Sequence, residues 1–385
     1  MWSTSCTCSV RTGEARGRLP LTPSMFEDVF EEEVRRGPRR AKLWPRVDSV
    51  HTDDSPIPAM RPGSSLQGGS AAATARRILL FAHTGRPEAT AAAIQATQRL
   101  QAAGLVPVMS RRDFETIFGG DEHPSEQEDR QGIRLLHEDI ALKEVELGVV
   151  LGGDGSILRA AEIIRHTDIP LIGVNLGHVG FLAESERTNL DETVDHIVKR
   201  TYAVEERMTI DVTVWSRGQR LHHTWALNEA SVEKGSREKM IEVVIEVDGR
   251  PLSTFGCDGV VMATPTGSTA YAFSGGGPVV WPEVEAMLLV PLSAHALFSR
   301  PMVTAPSSTM AVEILPTNGH QGVLWCDGRR TTELPPGSRI EVRRSEKPVR
   351  LARIHPGPFS ERLVNKFELP TRGWRGPAQG REPRS

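Results

Sequence analysis

Only four cysteines occur in the 385 residues, and none has the spacing of a zinc site. Cys6 and Cys8 lie near the start, and Cys257 and Cys326 far downstream. That scatter suits a reducing cytosol rather than a disulfide-bonded exterior. No apolar run is long enough to span a bilayer, and residues 1–18 lack the apolar stretch of a secretory signal. No charge of one sign dominates: 46 basic against 49 acidic residues leave a formal net charge of -3. Nothing in that balance calls for nucleic acid or a membrane surface as a partner, and a cytoplasmic protein is expected. Neither a P-loop nor a GxGxxG fingerprint is present. Tyrosine is nearly missing too, with two in the chain.

What is there falls into blocks. Residues 1–75 are rich in Pro, Gly, Ser and Arg without apolar periodicity, which predicts a disordered leader; Met60 offers an alternative start. Ile78-Leu79-Leu80-Phe81-Ala82 predicts a short buried strand. An Ala-rich helix follows over 88–103, stopped by Gly104. Strands are predicted at 106–109, 147–151 and 170–174, a loop at 119–132, and a helix at 156–165. This alternation implies a parallel α/β sheet. Beyond about residue 200 the texture changes. Residues 208–214 and 241–247 alternate polar and apolar side chains, the second run ending in Asp248-Gly249, which predicts antiparallel strands. Residues 359–367 read as a helix with Phe359, Leu363 and Phe367 on one face.

Three segments carry chemistry. Gly152-Gly153-Asp154-Gly155-Ser156 joins a strand to a helix, which places Asp154 at the carboxyl edge of the sheet, where ligands bind. Glycines allow close backbone approach, the helix start favours phosphate, and a carboxylate there can take a hydroxyl proton or hold magnesium. A plain turn with a helix-stabilising Asp is the competing reading. Asp258-Gly259 leads to Thr264-Pro265-Thr266-Gly267-Ser268-Thr269-Ala270-Tyr271 and Ser274-Gly275-Gly276-Gly277-Pro278. That density of hydroxyls and glycines suits a loop wrapped around a polar ligand, though ordinary turns use the same residues. Asn228-Glu229 could fix the hydroxyls and amides of a nucleotide, but taken alone the pair reads as solvated on a surface strand. His222, His223 and His295 read as structural or solvent-facing rather than metal ligands. Trp215 and Trp225 read as packing residues flanking a hairpin.

Taken in order, these segments resemble the NAD kinase family. The resemblance rests on Gly152 to Gly155, Gly177 to Phe181, Asn228-Glu229 and Asp258 through Pro278. It continues with His295-Ala296-Leu297-Phe298-Ser299-Arg300-Pro301 and Asp327-Gly328-Arg329, and spans roughly residues 76–372. The final stretch, with Gly373-Trp374-Arg375-Gly376, is most similar to actinobacterial members.

The resemblance implies an α/β plus β fold. A Rossmann-like N-terminal domain with a parallel sheet (76–200 with 347–372) would precede a β-rich, antiparallel NAD-binding domain (201–346). The chain end would return to the first domain, before a loose tail (373–385). It implies transfer of a phosphoryl group from ATP or polyphosphate to the 2′-hydroxyl of the adenosine ribose of NAD, with Mg2+ or another divalent cation. By the same resemblance Asp154 is the base or orienting group. Gly155 and Phe181 line the adenosine side, and Asn228 and Glu229 bind ribose and adenine. Thr266, Thr269, Ala270, Tyr271 and Ser274 line the remaining pocket, and Gly152, Gly153 and Gly155 face the donor. Asp258 would reach a neighbouring subunit's NAD in a homodimer or homotetramer. His295, Arg300 and Asp327 match positions without a settled role, and Ala296-Leu297-Phe298 departs from the small or hydroxyl residues usual there. A lipid or sugar kinase sharing the Gly-Gly-Asp-Gly turn, and a non-catalytic dinucleotide-binding protein, are the competing readings.

Overall fold

The computed structural model describes residues 75–119, 132–176, 180–183, 185–186, 190–236, 239–316, 321–354 and 357–371. The expected leader, the tail after 372, most of the loop at 119–132, and Gly177, His178 and Val179 lie outside the described residues.

Strand β1 (Arg77–Ala82) is apolar from Ile78 onward. Successive side chains of a strand face opposite ways. Ile78, Leu80 and Ala82 enter one buried cluster, Leu79 and Phe81 another. Both faces must therefore be covered, as in a parallel sheet flanked by helices. Helix α1 (Pro87–Ala102) covers the first face with Ala89, Ala92, Ala93, Ala96 and Leu100, small residues that let it lie close. It starts with Pro87 at its first turn and stops at Gly104, whose φ is +74°. After β2 (Val106–Met109) comes α2 (Arg111–Phe118), a helix the sequence reading passed over. It has two turns and few apolar residues, and Ser110 caps it by accepting from the Asp113 N–H at 3.1 Å.

A two-residue strand, β3 (Arg134–Leu135), leads to β4 (Leu147–Leu151), α3 (Asp154–Ile164) and β5 (Leu171–Asn175). Short β6 (Ser185–Glu186) pairs with β5, and α4 (Leu190–Lys199) packs on α1. Helix α3 begins two residues earlier than the 156–165 reading, so Asp154 lies in its first turn. The sheet runs β3-β2-β1-β4-β5 and is then extended by two later strands, β20 (Val349–Arg353) and β7 (Ala203–Arg207). Strand β20 lies parallel to β5 and antiparallel to β7. The chain end thus returns to the first sheet, as expected.

The second lobe is a β-sandwich. One sheet runs β15 (Met302–Thr304), β14 (Met287–Leu292), β13 (Gly259–Ala263), β10 (Glu229–Lys234), β17 (Gly322–Cys326), β18 (Arg330–Leu334). The other runs β12 (Arg250–Cys257), β11 (Ile241–Val247), β16 (Met310–Ile314), β19 (Arg339–Arg344), β8 (Ile210–Ser216), β9 (Gln219–Ala226). All pairs are antiparallel. Alternate residues such as Val212, Val243, Val260, Met262, Val312 and Leu324 fill one core between the sheets. The Asp248-Gly249 turn between β11 and β12 takes positive φ at both residues, +53° and +72°, as a tight hairpin of right-handed twist requires.

Candidate active site

Strand β13 positions the site in the second lobe. It is buried on both faces, with Val260 and Met262 in the sandwich core and Val261 and Ala263 in an outer cluster with Ala272. Its antiparallel register sets Glu229 opposite Ala263. The start of β10 therefore meets the end of β13, and Asn228-Glu229 lies beside the loop that begins at Thr264. Thr264 donates twice across that junction: its N–H to the Asn228 carbonyl at 2.9 Å, and its hydroxyl to the Leu227 carbonyl at 2.6 Å. Gly267 is pressed on the same backbone, since a Cβ there would lie 2.0 Å from the Asn228 oxygen. The solvated-strand reading of Asn228-Glu229 is overturned, because both residues are buried. The loop presses on one side and β17 pairs with β10 on the other.

Asp327 acquires a role from this geometry. Its buried carboxylate accepts the Leu227 N–H at 3.0 Å and the Asn228 N–H at 2.7 Å, and pairs with Arg330 at 2.8 Å. Glu229 is its buried neighbour, with a carboxylate oxygen that accepts the Tyr271 N–H at 3.4 Å. Burial, then the charge of Asp327, pushes Glu229 up to about 8, and the Tyr271 amide only partly opposes this. Burial raises Asp327 as well, opposed by the Arg330 guanidinium and the Leu227 and Asn228 amides. Tyr271 is over a third exposed; its hydroxyl is raised by partial burial and by Glu233, Glu229 and Asp258. Asp258 itself pairs with Lys234 at 2.5 Å, which lowers its pKa. Thr266 is buried, Thr269 and Ala270 are half-buried, and Ser274 is exposed on the short helix α5 (Tyr271–Ser274).

In the first lobe, both oxygens of Asp154 accept backbone N–H groups, from Phe181 and from Leu182, each at 3.0 Å. Two amides fix the carboxylate and leave the remaining lone pairs of each oxygen for another donor. Gly180 makes this possible, because a Cβ there would fall 2.3 Å from Asp154 Oδ1. On the opposite side of the turn, Gly152, Gly153 and Gly155 line a cavity of about 490 Å3. Added Cβ atoms at Gly153 and Gly155 would meet nothing within 4 Å, so the protein itself leaves that space open.

Two connections bring the halves together. Glu162 of α3 pairs with Arg330 at 2.9 Å and with Arg329 at 3.1 Å, so the helix that begins at Asp154 is tied to the Asp327 network. The second connection is helix α6 (Phe359–Phe367), a feature the 359–367 periodicity predicted. Its Phe359 and Phe367 rings contact Phe181 at 5.9 and 5.7 Å, and Phe367 stacks on Phe273 of α5 at 4.6 Å. Arg362 donates to the Phe181 carbonyl at 3.0 Å. Glu162 and Arg330 escaped the sequence reading because each acts through a residue distant in the chain; Gly180 and Asp327 entered it only within the segments that carry the resemblance, Gly177 to Phe181 and Asp327-Gly328-Arg329. His222, His223 and His295 are exposed, and His295 lies on an edge with exposed Leu297 and Phe298. The Trp225 ring, flanked by the Arg165 and Arg330 guanidinium groups at 4.3 and 4.8 Å, packs as expected.

Comparison with known proteins converges on one family. Residues 78–202 match the ATP-NAD kinase N-terminal domain and residues 227–354 the ATP-NAD kinase C-terminal domain. An NAD kinase of Leifsonia xyli is 56% identical over 305 residues, covering 79% of this chain and 98% of that protein. NAD kinase 2 of Streptomyces coelicolor is 55% identical over 304 residues, covering 78% and 97%. The fold is shared with a yeast NADH kinase crystallised with NADH, at TM-score 0.70 and 22% identity, over 78% of this chain and 89% of that one. The chain belongs to the NAD kinase family.

Proposed function

We infer that the chain is a phosphotransferase that moves a phosphoryl group from ATP, or from polyphosphate, to the 2′-hydroxyl of the adenosine ribose of NAD, giving NADP. The reading rests on the kinship just described. The observation that carries its mechanism is the bridge from Asp154 through α3, Glu162 and Arg330 to Asp327 and Asn228. It holds an anchored carboxylate in fixed relation to a buried amide and carboxyl pair suited to a nucleoside. Asp154 orients the ribose hydroxyl and accepts its proton as the phosphoryl group arrives in line. Asn228 and Glu229 engage the adenosine, with Glu229 able to donate through its retained proton. Phe181, Thr266, Thr269, Ala270, Tyr271 and Ser274 line the dinucleotide, and Gly152, Gly153 and Gly155 face the donor.

A divalent cation belongs to this chemistry. Among the described residues no group of three or more His, Cys, Asp or Glu could hold one. That donor set fits Mg2+ brought in on the donor's phosphates, which keeps phosphate and water ligands and needs few from protein. When bound, it neutralises charge developing on the transferred group. Asp258, half-buried beside Lys234, completes the site of a second copy in a homodimer or homotetramer, and a cytoplasmic setting suits the substrates. No helix among the described residues is long and apolar enough to cross a membrane. We read residues 76–200 with 347–372 as one domain and 201–346 as the other, except that β7 (Ala203–Arg207) lies in the first sheet. The test incubates the full chain with NAD, Mg2+ and either donor, then detects NADP with a strictly NADP-dependent dehydrogenase. Product from lipid or sugar acceptors instead of NAD would refute the reading.

A further inference from the structure

The cavity behind the Gly152 turn is more than a phosphate-sized dent. It runs along the carboxyl edge of the first sheet, from the start of α2 across the segment after β1 to the start of α3. Arg86, Arg112, Arg159 and Arg329 line it. Arg329 is paired with Glu162. The guanidinium groups of Arg86, Arg112 and Arg159 have no ion pair or hydrogen bond among the described residues. Arginines buried or partly buried elsewhere are paired, as at Arg76, Arg207, Arg339 and Arg353, whereas exposed ones such as Arg220 and Arg250 are not paired among the described residues. At the far end stands Asp113, 4% exposed, whose carboxylate likewise has no partner among the described residues. A buried carboxylate without a donor is costly, so a partner supplied by a ligand would be favoured.

We propose that Arg86, Arg112 and Arg159 hold the phosphate chain of the donor and that Asp113 takes an N–H or O–H of its nucleoside, so that this cavity selects a nucleoside triphosphate over inorganic polyphosphate. The assignment rests on the kinase reading above and adds to it the residues that set donor choice. Guanidinium groups match phosphate oxygens bidentately. An ionised carboxylate can only accept hydrogen bonds, and a polyphosphate chain, itself anionic, offers none and is repelled. A nucleoside end offers ribose hydroxyls and a base amine. The chain would then lead from Asp113 past the arginines to Gly153, beside Asp154.

The experiment measures steady-state NADP formation and donor binding by calorimetry, with ATP and with inorganic tripolyphosphate as separate donors, on the full chain. Arg86→Ala and Arg159→Gln are expected to weaken both donors about tenfold or more each, one charge-assisted hydrogen bond's loss, with NAD affinity unchanged. Asp113→Asn is expected to raise KM for ATP several-fold and to leave tripolyphosphate use equal or improved. Unchanged donor binding in both arginine variants would overturn the phosphate assignment. Equal losses for both donors in Asp113→Asn, in a variant whose melting temperature matches the wild type, would overturn the nucleoside assignment. If Asp113→Asn does not fold, wild-type competition decides: ATP binding no tighter than tripolyphosphate refutes the selectivity. A wild-type chain that makes no NADP from either donor fails the kinase reading itself, a result distinct from any of these.

Discussion

Two glycine-rich loops belong to the candidate site, and they use glycine for opposite purposes. In the Gly152 turn, Gly153 and Gly155 face open space, and a methyl group there would touch no protein atom. In the Thr264–Tyr271 loop, Gly267 is jammed against the Asn228 backbone, where a methyl group has no room. One loop keeps its glycines for a visitor; the other needs its glycine to close on its own chain. Composition alone cannot separate these cases.

Substitutions can break or sharpen that contrast. The largest effect is expected from Asp154→Asn, which removes the charge and turns an amide donor toward one of the two N–H groups the carboxylate now accepts. Turnover should fall by roughly a hundred- to ten-thousand-fold, measured as NADP formation at saturating substrates; wild-type turnover would end the base assignment. Next comes Gly267→Ala, expected to cost about 3 kcal/mol or more through overpacking against backbone. Denaturant unfolding checks it, and an undiminished midpoint would show that the loop yields. Gly153→Ala should do the reverse, leaving the unfolding midpoint within about 0.5 kcal/mol while raising the donor KM. Loss of stability with normal kinetics would erase the distinction between the loops.

The smallest effect concerns pH. The folded Glu229 pKa, about 8, lies above its ordinary 4.5. Between those values the folded state keeps a proton the unfolded chain has lost. This contribution is therefore fully present below about 4.5 and is lost as pH rises through about 8. Glu229→Gln should flatten that decline, gaining stability relative to wild type at about pH 9 but not at about pH 5. Parallel melting curves for the two proteins across that range would contradict the placement of the proton.

The parallel strands, the Ala-rich helix and the β11–β12 hairpin were legible because apolar period and turn residues are local signals. The motif residues were legible only as an ordered set. Asn228-Glu229 shows why: two polar residues carry no mark of burial, and their concealment comes from β17 and from a loop some forty residues on. Helix α2 was missed because it spans only two turns, although Phe114, Ile117 and Phe118 do fall on one face. Gly180 and Asp327 were unreadable in role because their partners, Asp154 and Asn228, lie far away in sequence.

Helix α6 clasps Phe181, whose amide holds Asp154, and β20 completes the first sheet beside β5. A ribosome delivers these segments after the other strands of both lobes. The growing chain would expose the edge of β5 around Leu171, which β6 does not cover, until residue 353 emerges, and the carboxylate would wait for residue 367 before its loop is clamped. Clamping of the Asp154 loop is thus deferred until both lobes are otherwise made, so termination before residue 353 would leave a sheet with an open, adhesive margin.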